Sequence, residues 1–98
     1  MLDMTIPVLH AASIATSEAF YCGRLGFRRQ FAYRPDETRD DPCYMGLLRD
    51  RAWLHLSSFE GDGVPGSVVY VAVDDVDGVC AELTARGVAI ATGPVDQT

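Results

Sequence analysis

A pattern of periodicities that runs once to completion and then starts again part-way is what most limits the folds open to this chain. Residues 5–11 are short and apolar with Pro7 among them, which predicts an edge strand or an arm that leaves its sheet. Ser13 can cap a helix over residues 14–25, where Ile14, Glu18, Tyr21 and Leu25 share a stripe and Gly26 supplies a left-handed C-terminal position. Residues 27–34 alternate, with Phe27, Arg29, Phe31 and Tyr33 on one face and Arg28, Gln30 and Ala32 on the other, until Pro35 ends the strand. After the acidic, turn-rich residues 36–42, residues 44–48 and 52–58 read as a hairpin around Arg49, Asp50 and Arg51. Residues 5–59 therefore form a first module: strand, helix, then three strands.

Residues 60–66 carry Gly61, Gly63, Pro65 and Gly66 and read as a linker. The order then restarts. Residues 67–73 are a β-branched run, and Asp74 or Asp75 caps a helix in which Val76, Val79, Cys80 and Leu83 recur at helical spacing before Gly87 closes it. Residues 88–91 begin another strand, ended by Gly93 and Pro94. This second module, residues 67–98, stops where the first continues into two more strands. A sheet without them exposes a hydrogen-bonding edge and half a groove. Two expectations follow: a C-terminal segment on the order of two strands of five to six residues each, which we favour, or a second subunit that fills the gap.

At 98 residues the chain suits one domain with a single core, since a chain of this size buries only about two-thirds of its unfolded surface. All eight basic residues are arginines, scattered from Arg24 to Arg86, against 14 acids and a net charge of −6. That balance argues against nucleic acid or anionic membrane as partner and mildly favours a cationic one. No apolar run approaches the roughly 18–20 residues that cross a bilayer, and the N-terminus lacks a basic stretch ahead of an apolar one, so a soluble, unprocessed chain is expected. Cys22, Cys43 and Cys80 are odd in number and far apart, which fits neither a disulfide framework nor a paired zinc spacing and points to a reducing cytoplasm. Cys22 and Cys80 read as small buried hydrophobes on their helices.

The Phe20-Tyr21 pair followed by Leu25-Gly26-Phe27, and Val73-Asp74-Asp75-Val76 with Ala85-Arg86-Gly87-Val88 at the end of the second helix, resemble the vicinal oxygen chelate superfamily. That superfamily includes glyoxalase I, ring-cleaving dioxygenases and bleomycin resistance proteins. The resemblance covers nearly the whole chain. It implies an α+β fold of paired βαβββ modules forming a curved mixed sheet around a cleft, here in one domain spanning residues 1–98 whose second module lacks its last two strands.

Enzymes of the superfamily hold a divalent metal on four cleft-strand positions. By resemblance these fall on Ile6, His55 and Val68, with the fourth beyond Thr98. One imidazole and two aliphatic side chains fall short of the three or more protein ligands of a catalytic metal site, so His55 is the only residue at a family ligand position and no metal or other cofactor is expected. The implied relatives are then the metal-free bleomycin resistance proteins, which sequester their ligand, and Ile6-Pro7-Val8-Leu9 resembles the first strand that those proteins exchange between subunits. The partners implied are a small molecule and a second copy in an arm-exchanged homodimer.

With His55 as anchor, alternation puts Trp53, His55 and Ser57 on the cleft face of one strand, Ile6, Val8 and His10 on that of the first, and Val68, Tyr70 and Ala72 on that of the fifth. Phe31, Tyr33 and Tyr44 add aromatic surface from neighbouring strands. The candidate ligand-binding residues are thus Phe31, Tyr33, Tyr44, Trp53, His55, Ser57 and Tyr70, a set suited to a large planar or heteroaromatic molecule. The acids Asp36, Glu37, Asp40 and Asp41 would steer a cation to the cleft mouth. No catalytic residue is assigned, and a binding protein is favoured over an enzyme. The second reading is a metal-dependent lyase or dioxygenase in which His10 and His55 converge with a further acid. The third is a structural subunit with no ligand.

Overall fold

The computed structural model describes residues 1–90. Its sheet is four-stranded and mixed: β1 (Val8–His10), β2 (Arg28–Tyr33), β3 (Tyr44–Arg49) and β4 (Ala52–Ser57) lie in the order β1-β4-β3-β2. β1 runs parallel to β4, whereas β4, β3 and β2 are joined antiparallel. The strand, helix and three strands expected of residues 5–59 are all present in an α+β arrangement that does not close.

β1 is shorter than the seven residues expected. Pro7 has no N–H to give a ladder, yet its carbonyl still accepts from His55 N at 3.0 Å, so pairing begins one residue ahead of the strand proper. The first helix starts as expected, with the Ser13 side chain accepting from Thr16 N, and Asp41 reaches across to accept from Ile14 N at 3.0 Å. It is not one regular α-helix. α1 (Ile14–Glu18) passes into a π-helical stretch, Ala19–Arg24, in which Leu25 N bonds to Phe20 O at 3.1 Å. Ile14 and Tyr21 of the expected stripe reach the core, with Cys22 beside them in the wider turn, and Gly26 at φ 79° then reverses the chain into β2.

One face of the sheet packs on this helix. Met45, Leu47 and Leu56 from β3 and β4 are fully buried with Ile14, Ala11 and Cys43, and Leu9, Tyr21, Cys22 and Phe27 close around them. The residues that alternate with them, Tyr44, Gly46, Leu48, Trp53 and His55, face the other way.

Three expectations are corrected in β2 and beyond. The ladder between β2 and β3 slips at Gln30: Arg29 pairs with Leu47 but Phe31 pairs with Gly46. The bulge leaves Phe27 and Arg29 on the helix side, where Arg29 lies 3.5 Å from Glu18, and turns Phe31 and Tyr33 to the opposite face. Residues 67–73, expected as a strand, join no ladder among the described residues; their β-branched composition suits a strand, but no neighbouring strand supplies the hydrogen bonds. Residues 88–90 likewise form no strand, and Ala91, Gly93 and Pro94 lie outside the described residues.

The second helix, α2 (Val76–Ala85), is capped by Asp75, whose side chain accepts from Gly78 N at 2.9 Å. Val79, Cys80 and Leu83 are half-buried while Val76 is exposed. What docks α2 is polar. Arg49 at the end of β3 donates to Glu82 at 2.6 Å and to Leu25 O at 2.8 Å, and Arg24 donates to Gly87 O at 2.8 Å. The glycine-rich residues 60–66 do more than link: Asp62 folds back on the sheet, its carbonyl 3.1 Å from His10 Nδ1 and its carboxylate accepting from the Ser57 hydroxyl at 2.9 Å.

Candidate functional site

The sheet face turned away from the helix carries Phe31, Tyr33, Tyr44, Trp53 and His55. β2, β3 and β4 each contribute, because the bulge at Gln30 turns Phe31 and Tyr33 toward the face that Tyr44 and His55 already share. The Phe31 ring lies over Gly46 in the space that a Cβ there would need. Reading the sequence missed Gly46; a lone glycine between Tyr44 and Leu48 inside a strand pattern was the available signal.

The imidazole of His55 is the hub. Phe31 and Tyr44 stand at 85° and 78° to it with centroids 5.3 Å away, and Trp53 stands at 85° and 6.2 Å. Phe31 and Tyr44 are nearly parallel, 6.3 Å apart, and Tyr33 stacks on Phe59 at the same spacing. Edge-to-face and offset contacts of this kind contribute about 0.5–1.5 kcal/mol each beyond area burial. The cluster is therefore held in shape while it remains open: Phe31 is 43% and Tyr33 59% exposed.

One polar contact is set into this apolar face. The Tyr44 hydroxyl meets His55 Nδ1 at 2.8 Å. Burial pushes the Tyr44 phenol above its usual range, with the Asp62 carboxylate adding to the effect, and burial lowers His55 from its ordinary value of 6.5. Both groups are thus held neutral near pH 7.

Two sequence-predicted site residues lie apart from the cluster. Ser57 sits on the right face by alternation but is 0% exposed, covered by its bonds to Asp62 and from Phe59 N, so it is a structural residue of the β4 end. Tyr70 is 83% exposed on the unpaired residues 67–73 and does not join the cluster; with Trp53 it lines an open gap of about 1000 Å³ between the β3–β4 hairpin and that segment. Of the four loop acids, Asp36 is engaged with Thr38 and Asp41 with α1, while Glu37 and Asp40 are exposed.

Among the described residues, the donors around His55 do not fit a divalent metal. Its direct ladder neighbours are Val8 and Gly46, which offer no side-chain donor, and His10, one step along on the same face, points Nδ1 at the Asp62 carbonyl. Among the described residues no three His, Cys, Asp or Glu side chains converge. Cys43 lies in the core beneath the sheet, where burial pushes its thiol up, so it forms no thiol–imidazole pair with His55.

A family profile described as glyoxalase superfamily protein matches residues 1–97. The chain belongs to the glyoxalase superfamily. This is the vicinal oxygen chelate family that the Phe20-Tyr21 and Asp74-Asp75 motifs resemble. Among solved structures of this glyoxalase superfamily fold, a virulence protein from Salmonella typhimurium is similar with a TM-score of 0.68 at 22% identity, over 100% of this chain and 79% of its own. The bleomycin-binding protein from bleomycin-producing Streptomyces verticillus, solved with copper(II)-bleomycin, gives 0.63 at 21% identity over 88% of this chain and 66% of its own. An integron cassette protein from Vibrio cholerae gives 0.62 at 20%, over 100% and 77%. No protein of curated function matches the sequence significantly. These likenesses establish the fold. In the described residues, no helix is long and apolar enough to cross a membrane.

Proposed function

We propose that this glyoxalase superfamily member is a metal-free small-molecule-binding protein of the bleomycin-resistance type, which holds an aromatic ligand against Phe31, Tyr44, Trp53 and His55. The observation that carries the reading is the ordered, solvent-open aromatic cluster around an imidazole whose ladder neighbours supply no metal donor. Such a face binds flat apolar surface and offers no Lewis acid for turnover. The net charge of −6, with Glu37 and Asp40 exposed beyond β2, supports attraction of a ligand that carries positive charge outside its ring system. The likeness in fold to the Streptomyces verticillus bleomycin-binding protein supports the same class.

The working unit in this proposal is a homodimer in the cytoplasm that exchanges the Ile6-Pro7-Val8-Leu9 arm, so that a second copy completes the open side of the cleft. Equilibrium dialysis against metal-free bleomycin, with metal analysis of protein purified without chelator, tests the reading. It predicts saturable binding and substoichiometric Zn²⁺, Ni²⁺ and Fe²⁺; stoichiometric metal without ligand binding would move the assignment to a metal-dependent lyase or dioxygenase.

A further inference from the structure

The aromatic face has one polar feature with a fixed direction. A phenol O–H is a stronger donor than an imidazole N–H, and an imidazole nitrogen is a stronger acceptor than a phenol oxygen, so across the 2.8 Å contact Tyr44 donates and His55 Nδ1 accepts. A neutral imidazole whose Nδ1 accepts carries its proton on Nε2. Among the described residues Nε2 has no hydrogen-bond partner, and no buried side-chain nitrogen or oxygen is left unpartnered, so Nε2–H opens onto solvent. The three rings that stand around the imidazole are those that would cover a bound aromatic, and covering an N–H without giving it an acceptor leaves a buried donor unpaired.

We infer that the feature recognised on the ligand is an unprotonated hydrogen-bond acceptor within its ring system, a heteroaromatic nitrogen or ring carbonyl, which meets His55 Nε2–H while Tyr44 fixes the tautomer. This rests on the binding reading above and narrows it: positive charge on the ligand belongs away from the ring that stacks here. Tyr44 is a positioning residue. His55 sets specificity.

The test compares two probes of one shape, isoquinoline at pH 8, which carries an acceptor nitrogen, and N-methylisoquinolinium, which has a fixed charge and no acceptor. Imidazole ¹⁵N resonances of His55 and the emission of Trp53 are followed together. The free protein is expected to show the Nε2–H tautomer, isoquinoline is expected to bind about tenfold more tightly than the cation, as one neutral hydrogen bond allows, and its binding is expected to move Nε2 more than Nδ1. In Tyr44→Phe the tautomers mix and the preference shrinks. A Nδ1–H tautomer in the free protein, which needs no variant to observe, or equal or tighter binding of the cation would overturn the inference while leaving a binding face. If neither probe perturbs His55 or Trp53, the binding reading falls as well.

Discussion

The ring of Phe31 on β2 fills the space above Gly46 on β3 that any other side chain at that position would occupy. This packing sets the rim of the aromatic face, since the same ring also stands edge-on to His55. Gly46→Ala therefore expels Phe31. Overpacking of this kind costs roughly 1–3 kcal/mol, which urea unfolding will read as a lower midpoint with unchanged slope. Combining it with Phe31→Ala should recover part of the loss, because the clash then has no partner; strictly additive effects would mean that the two residues do not interact.

Loss of the Tyr44 hydroxyl leaves His55 Nδ1 without a partner on a half-buried ring. Tyr44→Phe should lower stability by about 0.5–1.5 kcal/mol while the aromatic packing and the fold persist. Near-ultraviolet circular dichroism checks the packing and chemical denaturation the stability. An unchanged unfolding free energy would show that water replaces the phenol at no cost.

Burial holds His55 below its ordinary value of 6.5, so the unfolded chain takes up a proton before the folded one does. Stability should be level above about pH 7.5, fall as pH drops through 6.5, and level again below the folded value. The difference between wild type and His55→Gln across pH 5–8 isolates this group from the carboxylates. A flat difference, or one that rises toward acid, contradicts the assignment.

How much of this was legible in the sequence follows from where the signals are local. The Ser13 cap, Gly26, the hairpin of β3 and β4 and the Asp75 cap all depend on residues a few positions apart, and each appears where the pattern puts it. That Trp53 and His55 share one face of β4 was also legible, because strand alternation propagates along a strand from one anchored residue. What escaped was set by contacts between distant segments. The bulge at Gln30 depends on the Phe31–Gly46 fit, the burial of Ser57 on the return of Asp62, and the strand expected at residues 67–73 on a neighbour that composition cannot provide.

Glu82 joins α2 to the sheet through Arg49 at 2.6 Å and to Arg86 at 3.0 Å, and the hydrogen bond from Arg49 is the main cause of its lowered pKa. With its folded value depressed, Glu82 stabilises the docked helix above its ordinary 4.5, and that contribution is lost as pH falls through the folded value. Glu82→Gln should raise amide exchange across α2 at pH 7 and leave exchange in β3 and β4 unchanged. Exchange that rises equally in the sheet would show that α2 and the sheet open as one unit.

Trp53 is the only tryptophan and stands 6.2 Å from His55 at the edge of the aromatic face, so the chain carries its own reporter of the central claim. Titration with metal-free and copper-bound bleomycin should quench its emission saturably, at one site per subunit, with a raised melting temperature; Trp53→Ala should weaken binding by about 1–3 kcal/mol when measured by calorimetry. Unchanged emission together with an unchanged melting temperature would contradict a ligand of the bleomycin class on this face.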